Sequence, residues 1–360
     1  MINNPFYQKE LKKIINNSNI EWKKFDNKTI LITGSTGMIG SFLVDIIMLR
    51  NKFFNSNITV VANALNIDSI EHRFNEYIND KNFEILIQNV IDPLNTKYSI
   101  NYIIHAASNA YPELFDKDPV GTMMGNFIGL NNILDFSIRN NVERVLYVSS
   151  GEIYGKIDDM ESIIENNYGY VDILKSRSCY PMSKRASETL AISYNKQYNL
   201  NVVIVRPCHI FGPTATSKDN RVSSLFVKMG LNGENIVLKS KGTQKRSYCY
   251  ITDCICALLT ILDKGKCAEA YNISNPNSII TIAELAQTIS KKTNVKLLFD
   301  IPSKNEEKNF NSMENAVLNS DKLIELGWKP LYDFETAMDN NIKILKNERV
   351  KKWKIYWKKL

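Results

Sequence analysis

The sequence predicts an α/β fold, a doubly wound parallel sheet with a smaller mixed α/β lobe. Three observations carry that expectation. Between Lys28 and Arg206, apolar β-branched runs alternate with segments of helical period, the pattern of parallel strands joined by crossover helices. A glycine turn, Thr33-Gly34-Ser35-Thr36-Gly37-Met38-Ile39-Gly40, connects the first run to the first helical segment. Beyond Arg206-Pro207 the alternation breaks into short mixed patterns. That suits a second lobe closing over the carboxyl ends of the strands, where doubly wound sheets bind ligands.

Residues 1–27 are an N-terminal extension. Leu11, Ile14 and Ile15 share one helical face and Trp22 is placed to dock on the domain; a loosely ordered segment is the alternative. Lys28-Thr-Ile-Leu-Ile-Thr33 reads as a buried strand and Ser41–Arg50 as the helix after the turn. In such a turn Gly34 permits the tight reversal, Gly37 lets backbone approach a pyrophosphate, and Gly40 lets helix pack on strand. Ser35, Thr36, Met38 and Ile39 complete the loop, and the helix N-terminus offers free N–H groups to phosphate. The spacing is G-x-x-G-x-x-G, and residues 28–206 are read as a dinucleotide-binding (Rossmann) domain. Ile58–Ala62, Phe83–Ile87, Tyr102–His105, Val145–Ser149 and Asn201–Arg206 are its further strands. A long helical region follows Pro119, and another helix runs from Tyr180 to about Tyr198. Residues 207–346 are mainly the substrate-binding lobe, and residues 347–360 a basic aromatic tail.

An acidic residue after the second strand usually binds the adenosine ribose. This chain has Ala62-Asn63-Ala64 there, and no arginine or lysine in Val61–Asn66 to meet a 2′-phosphate. The expectation is NAD, with Asn63 as a neutral ribose ligand. Ala106, Ala107 and Ser108 after the fourth strand are small enough for a cofactor to lie against the backbone.

The 360 residues are 44% hydrophobic, enough for a sizeable core, and carry 45 Lys+Arg against 38 Asp+Glu, a net +7 spread along the chain. That mild excess does not predict a nucleic-acid partner. The six cysteines and three histidines show no metal-ligand spacing, so no metal is expected. No secretory segment and no apolar run near 18 residues is present, which predicts a soluble, cytoplasmic protein without an integral membrane segment. In Val350–Leu360 aromatics interleave with lysines; a solvated helix with docked tryptophans is the favoured reading, a membrane-surface role the other.

Tyr180 and Lys184 lie one helical turn apart. An ammonium beside a phenol favours the phenolate, and such a tyrosine takes a proton from an alcohol as hydride leaves the same carbon for NAD. Ser150, at the end of the fifth strand, is placed to complete the hydrogen-bond line.

With these residues in view, the chain from about Lys28 to about Leu345 resembles the extended short-chain dehydrogenase/reductase family of nucleotide-sugar epimerases, dehydratases and decarboxylases. Further stretches match it: Arg206-Pro-Cys-His-Ile-Phe-Gly-Pro213, Arg246-Ser-Tyr-Cys-Tyr-Ile-Thr-Asp253, Tyr271-Asn-Ile273 and Leu326-Gly-Trp-Lys-Pro330. The resemblance implies catalytic roles for Ser150, Tyr180 and Lys184, an adenine pocket at Asn89 and Val90, and a sugar or diphosphate contact for Arg246. Within the family, Cys179–Glu188, Asp219–Phe226 and Ala107–Pro112 are most similar to UDP-glucuronate decarboxylases. Arg221 and Ser108 are thereby implied as substrate ligands, and Glu152 as the carboxylate acting after a 4-keto sugar forms. Two departures stand out: Gly151 replaces the acid of 4,6-dehydratases, and His209 replaces a phosphate-side asparagine. Decarboxylation leads, followed by 4-epimerisation and then 4,6-dehydration; a cofactor-binding regulator is the non-enzyme alternative. The resemblance also implies a homodimer built on the helices at Pro119–Asn140 and Tyr180–Tyr198, with Leu130, Ile133, Leu134 and Leu190 as candidate apolar contacts.

Overall fold

Six strands, β1 (Thr29–Thr33), β2 (Thr59–Ala64), β3 (Phe83–Ile87), β4 (Tyr102–His105), β5 (Arg144–Val148) and β6 (Val202–Pro207), lie parallel in one sheet. The computed structural model describes residues 1–157, 160–301 and 315–358. Helices α1 (Pro5–Ile15), α2 (Met38–Phe54), α3 (Ile67–Phe74), α4 (Pro112–Lys117), α5 (Pro119–Arg139) and α6 (Cys179–Tyr198) accompany these strands. The strands are continuously apolar because both faces are covered. Ile30, Ile32, Val60, Ile104, Leu146, Val203 and Val205 share the core of the α2 face. Leu31, Val61, Ile103, Val145, Tyr147, Val202 and Ile204 share that of α5 and α6.

The second half of the chain contributes β7 (Ile210–Phe211), α7 (Val222–Asn232), β8 (Ile236–Leu238), β9 (Lys245–Ser247), β10 (Cys249–Tyr250), α8 (Ile251–Lys264) and β11 (Ala270–Ile273). Then follow β12 (Ile279–Thr281), α9 (Ile282–Thr293), β13 (Leu297–Phe299), β14 (Asn315–Ala316), α10 (Asp321–Ile324) and α11 (Phe334–Lys358). β11 adds a seventh strand beside β6, with Ala270 opposite Ile204, and completes the order β11-β6-β5-β4-β1-β2-β3. The expected division at Arg206 is therefore crossed: β11 joins the sheet, and α8 packs on β6. The remaining short strands pair among themselves as β7 with β10, β8 with β13, and β9 between β12 and β14. They form the smaller mixed lobe.

Of the two readings of the N-terminus, the ordered one holds. Asn4 caps α1 by accepting from the Phe6 and Tyr7 amides, and Pro5 stands at the first helical position. Leu11 and Ile14 are fully buried and Trp22 is docked. The helix is a third layer against α2 and α8. Tyr7 donates to Asp45 of α2 at 2.7 Å, while Glu10 accepts from Thr252 at 2.8 Å and Tyr332 at 2.7 Å. At the other end α11 runs to Lys358; the expected docking of Trp353 and Trp357 lies outside the described residues.

Arg206 is buried behind the sheet. It pairs with Glu188 at 2.6 Å and donates to the Tyr154 hydroxyl at 2.9 Å and the Glu165 carbonyl at 2.7 Å. A buried guanidinium needs such complete pairing. Tyr154 thus ties the loop after β5 to this network.

Candidate active site

β1 ends at the switch point of the sheet, between β2 and β4, and the glycine turn follows it. Gly34 has φ +65°, and a Cβ there would fall 2.8 Å from the Ala107 Cα. At Gly40 a Cβ would fall 2.4 Å from the Gly34 carbonyl oxygen; no other residue fits without moving backbone. Gly37 caps α2, and its Cβ would meet only the Gly34 oxygen, at 3.2 Å. Its outer side is the open cradle that a pyrophosphate needs at a helix N-terminus. The helix begins at Met38, three residues before the expected Ser41, so that cradle lies within the glycine turn itself.

Thr36, Met38 and Ile39 are half-buried around this cradle, whereas Ser35 is fully buried. The Ser35 amide and hydroxyl both bond the Asn63 carbonyl, at 3.1 and 2.9 Å. Ser35 clasps the turn to β2. Asn63 also has a structural part. Its side-chain amide donates to the carbonyls of Leu86 at 3.2 Å and Gln88 at 2.9 Å, so both amide hydrogens hold β3 and only its oxygen is left for a ribose. Asn89 is exposed after β3, and the Val90 side chain is where a Cβ on Gly129 would land. That glycine lets α5 close on the loop. The Ala107 amide donates to Thr33 Oγ1 at 3.2 Å, which fixes Ala106-Ala107-Ser108 across from the turn.

On the other side of β4 the reacting groups meet. Tyr180 stands in the first turn of α6, where the Ser150 and Ser108 side chains favour its ionised form. Ser108 donates to Asn126 Oδ1 at 2.8 Å, and Asn126 donates to Ser183 at 3.0 Å. Ser150 accepts from the Glu152 amide at 3.1 Å. Lys184 is 1% exposed and donates to the Val148 carbonyl at 2.8 Å.

The electrostatics correct the expectation drawn from the Tyr180–Lys184 spacing. Burial pushes the Tyr180 phenol up to about 12, with the charge of Glu152 acting in the same direction. The Ser150 and Ser108 side chains and the charge of Arg221 pull it back only in part. Burial also draws Lys184 down to about 7, against the charge of Glu188. Desolvation outweighs the attraction between the two groups.

The lobe supplies the rest. Arg221, at the start of α7, donates to Asp219 from Nε at 2.9 Å and Nη2 at 2.7 Å. Its Nη2 also lies 3.8 Å from Met38 Sδ, and Thr214 donates to the Met38 carbonyl at 2.9 Å. The lobe is thus stitched to the glycine turn. His209 holds a left-handed backbone at φ +46°, and its Nε2 is buried with no hydrogen-bond partner among the described residues. Burial, then the charges of Arg246 and Arg221, push it down to about 3. His209 is neutral and lies within reach of both arginines. Arg246 itself, on β9, is 7% exposed.

Gly151 has a packing reason. A Cβ there would lie 3.2 Å from both Cys208 Sγ and Leu318 Cδ1, so a side chain fits only if these two give by a few tenths of an ångström. Glu152, next to it, faces outward and pairs with Arg177 at 3.1 Å. The Arg177 guanidinium sits 4.5 Å from the Phe115 ring centre, and Phe115 stacks on Tyr180 at 4.5 Å and 19°. Arg177 and Phe115 have no counterpart in the sequence reading; Asn126 lies unassigned in the helical region after Pro119, and Asp219 opens a stretch similar to the decarboxylases. Of the first pair, only Arg177 had a signal, standing one turn before Tyr180.

All six cysteines are free. Among the described residues no helix is long and apolar enough to cross a membrane. The NAD dependent epimerase/dehydratase family matches residues 30–274. UDP-glucuronic acid decarboxylase 3 of Arabidopsis thaliana is 34% identical over 272 residues, 74% of this chain and 75% of that protein. UDP-glucuronic acid decarboxylase 1 of Xenopus tropicalis is 30% identical over 328 residues, 90% of this chain and 73% of that one. Among solved structures, UDP-glucose 4-epimerase of Thermotoga maritima, with UDP-glucose, superposes with a TM-score of 0.75 at 22% identity, covering 89% of this chain and 99% of the other. dTDP-glucose 4,6-dehydratase of Bacillus anthracis, in complex with NAD, gives 0.74 at 19%, covering 89% and 97%. The fold agrees with these likenesses: the chain is an enzyme of the NAD-dependent epimerase/dehydratase family.

Proposed function

We propose that this enzyme decarboxylates a UDP-linked glucuronate through a 4-keto sugar. The observation that carries the reading is the loop after β5, where Gly151 offers no acid while the charge of Glu152 reaches Tyr180. Expelling hydroxide from C6 needs a positioned acid, and Gly151 supplies none. A C6 carboxylate needs no such acid once C4 is a ketone. The C5–C6 bond breaks, carbon dioxide leaves, and the bonding pair moves into the C4 carbonyl as an enolate.

The cradle at Gly37, the Gly34 and Gly40 packing, Ala106-Ala107-Ser108, Asn89, Val90 and Lys184 fit NAD, with NADP disfavoured because Val61–Asn66 holds no cation. Bound NAD supplies the acceptor, and later the donor, of the C4 hydride. Tyr180, aligned by Ser150, takes the C4 hydroxyl proton. Glu152, acting through water, relays a proton to C5 after carbon dioxide departs. Arg221, Arg246 and the free Nε2 of neutral His209 hold the nucleotide-sugar diphosphate. Incubation with UDP-glucuronate and NAD tests the reading: carbon dioxide and a UDP-pentose are expected. No carbon dioxide, with a neutral UDP-hexose interconverted at C4, makes the enzyme a 4-epimerase, which also needs no acid at Gly151.

The assembly we propose is a homodimer on α5 and α6, with a changed face. Leu130, Ile133 and Leu134 are at most 1% exposed and pack on the sheet. The exposed stripe is Val120, Met123, Met124 and Phe127, with Ile192 beside it on α6. Light scattering at micromolar concentration should give twice the chain mass, and Met124→Glu should halve it.

A further inference from the structure

The loop after β5 poses an electrostatic problem. Paired with Arg177, Glu152 is held as a carboxylate, and its charge opposes ionisation of the neighbouring phenol. The groups facing Tyr180 come from every side: Ser150 and Glu152 from that loop, Ser108 from the loop after β4, Phe115 from α4 and Arg221 from the lobe. Tyr147 of β5 and Lys184 and Cys179 of α6 complete its surroundings. One further cation touches both the carboxylate and the ring stack. Arg177 donates to Glu152 Oε2 at 3.1 Å and Oε1 at 3.4 Å, and its guanidinium lies 4.5 Å from the Phe115 ring that stacks on Tyr180. Both partners remain about 40% exposed, with side-chain values of 41% and 43%. The pair is therefore open to solvent at the edge of the Tyr180 group.

We propose that Arg177 is a positioning residue that masks the charge of Glu152 from Tyr180, so that one carboxylate can serve C5 without suppressing the phenol that serves C4. This rests on the roles given above to Tyr180 and Glu152. Phe115 is the spacer: its ring carries the guanidinium on a face and holds the phenol parallel beneath it. Without Arg177, the full field of Glu152 falls on a poorly solvated phenol, where a unit charge is worth about a tenfold change in ionisation.

Phenolate absorbance near 295 nm, read against Tyr180→Phe in the NAD-bound protein between about pH 8 and 11, tests this without any substrate. Arg177→Met should lower the Tyr180 phenolate about tenfold at each pH in the rising limb. Glu152→Gln should raise it, the double variant should match Glu152→Gln, and Arg177→Lys should stay near wild type. Initial rates of 340 nm absorbance with UDP-glucuronate should shift along the pH axis in the same order. An unchanged phenolate in Arg177→Met, or an equal drop in the Glu152→Gln background, overturns the proposal. Should Arg177→Met fail to fold, Arg177→Gln serves in its place, and Glu152→Gln must still raise the phenolate. Carbon dioxide release is followed on the same samples. Its absence with the phenolate pattern intact condemns the decarboxylase reading and leaves the role of Arg177 standing.

Discussion

The two halves of the site are built from different materials. The dinucleotide side is mostly backbone: Gly34, Gly37 and Gly40 exclude side chains, and Ser35 and Asn63 spend their polar groups on the turn itself. The sugar side is mostly charge, with Glu152, Arg177, Asp219, Arg221, His209 and Arg246 brought together from four separate stretches. A backbone site tolerates little substitution but asks little of distant residues. A charged site asks each residue to compensate another, and its chemistry is set by those pairings.

The largest test of this contrast falls on the chemistry. Tyr180→Phe removes the proposed proton acceptor and should lower kcat about 10³-fold with NAD affinity unchanged, read by carbon dioxide release and cofactor titration. Glu152→Gln should separate the half-reactions. A first-turnover 340 nm signal persists while carbon dioxide release falls about 10²-fold; equal loss of both would give Glu152 a structural part only. On the backbone side, Gly40→Ala forces its Cβ onto the Gly34 oxygen at 2.4 Å. It should weaken NAD binding and cost about 2 kcal/mol of stability, measured by denaturant melts. Gly151→Asp should cost about 1 kcal/mol and confer no dehydration, since its Cβ meets side-chain atoms at 3.2 Å that give more readily.

The smallest effect concerns Lys184 and pH. Its folded pKa of about 7 lies below the ordinary 10.5. Between those values the unfolded chain binds more protons, so the Lys184 contribution to stability rises with pH and is least favourable below about 7. Lys184→Met should therefore gain most over wild type near pH 6 and progressively less toward pH 10 in thermal melts, while losing turnover. A gap that widens with pH would contradict the buried, depressed lysine.

The same contrast decides what the sequence made legible. The glycine turn, the first six strands, and Ser150, Tyr180 and Lys184 follow from local pattern, because strand, turn and helix are read within some 20 consecutive residues. β11 was not recognised as a strand of the sheet, since Tyr271-Asn-Ile273 is short and lies far beyond the alternation. α5 shows why period alone misleads. Its apolar residues form two stripes, Leu130-Ile133-Leu134 inward and Val120-Met123-Met124-Phe127 outward, and spacing cannot say which meets the sheet. The Arg177–Glu152 pair and the neutral state of His209 depend on burial by distant segments. So does the strength of desolvation, which raises Tyr180 and lowers Lys184.

The third layer made by α1 bears on how the chain is made. Asn4 donates to the Ile344 carbonyl at 3.0 Å and to Glu348 at 2.9 Å, contacts spanning 340 residues or more. Such closure carries a large loop entropy and forms late. During synthesis α1 must wait, part of its apolar face uncovered, until α8 and α11 have been made. Tyr7, Leu11 and Ile14 are then the segment most in need of a chaperone's shelter.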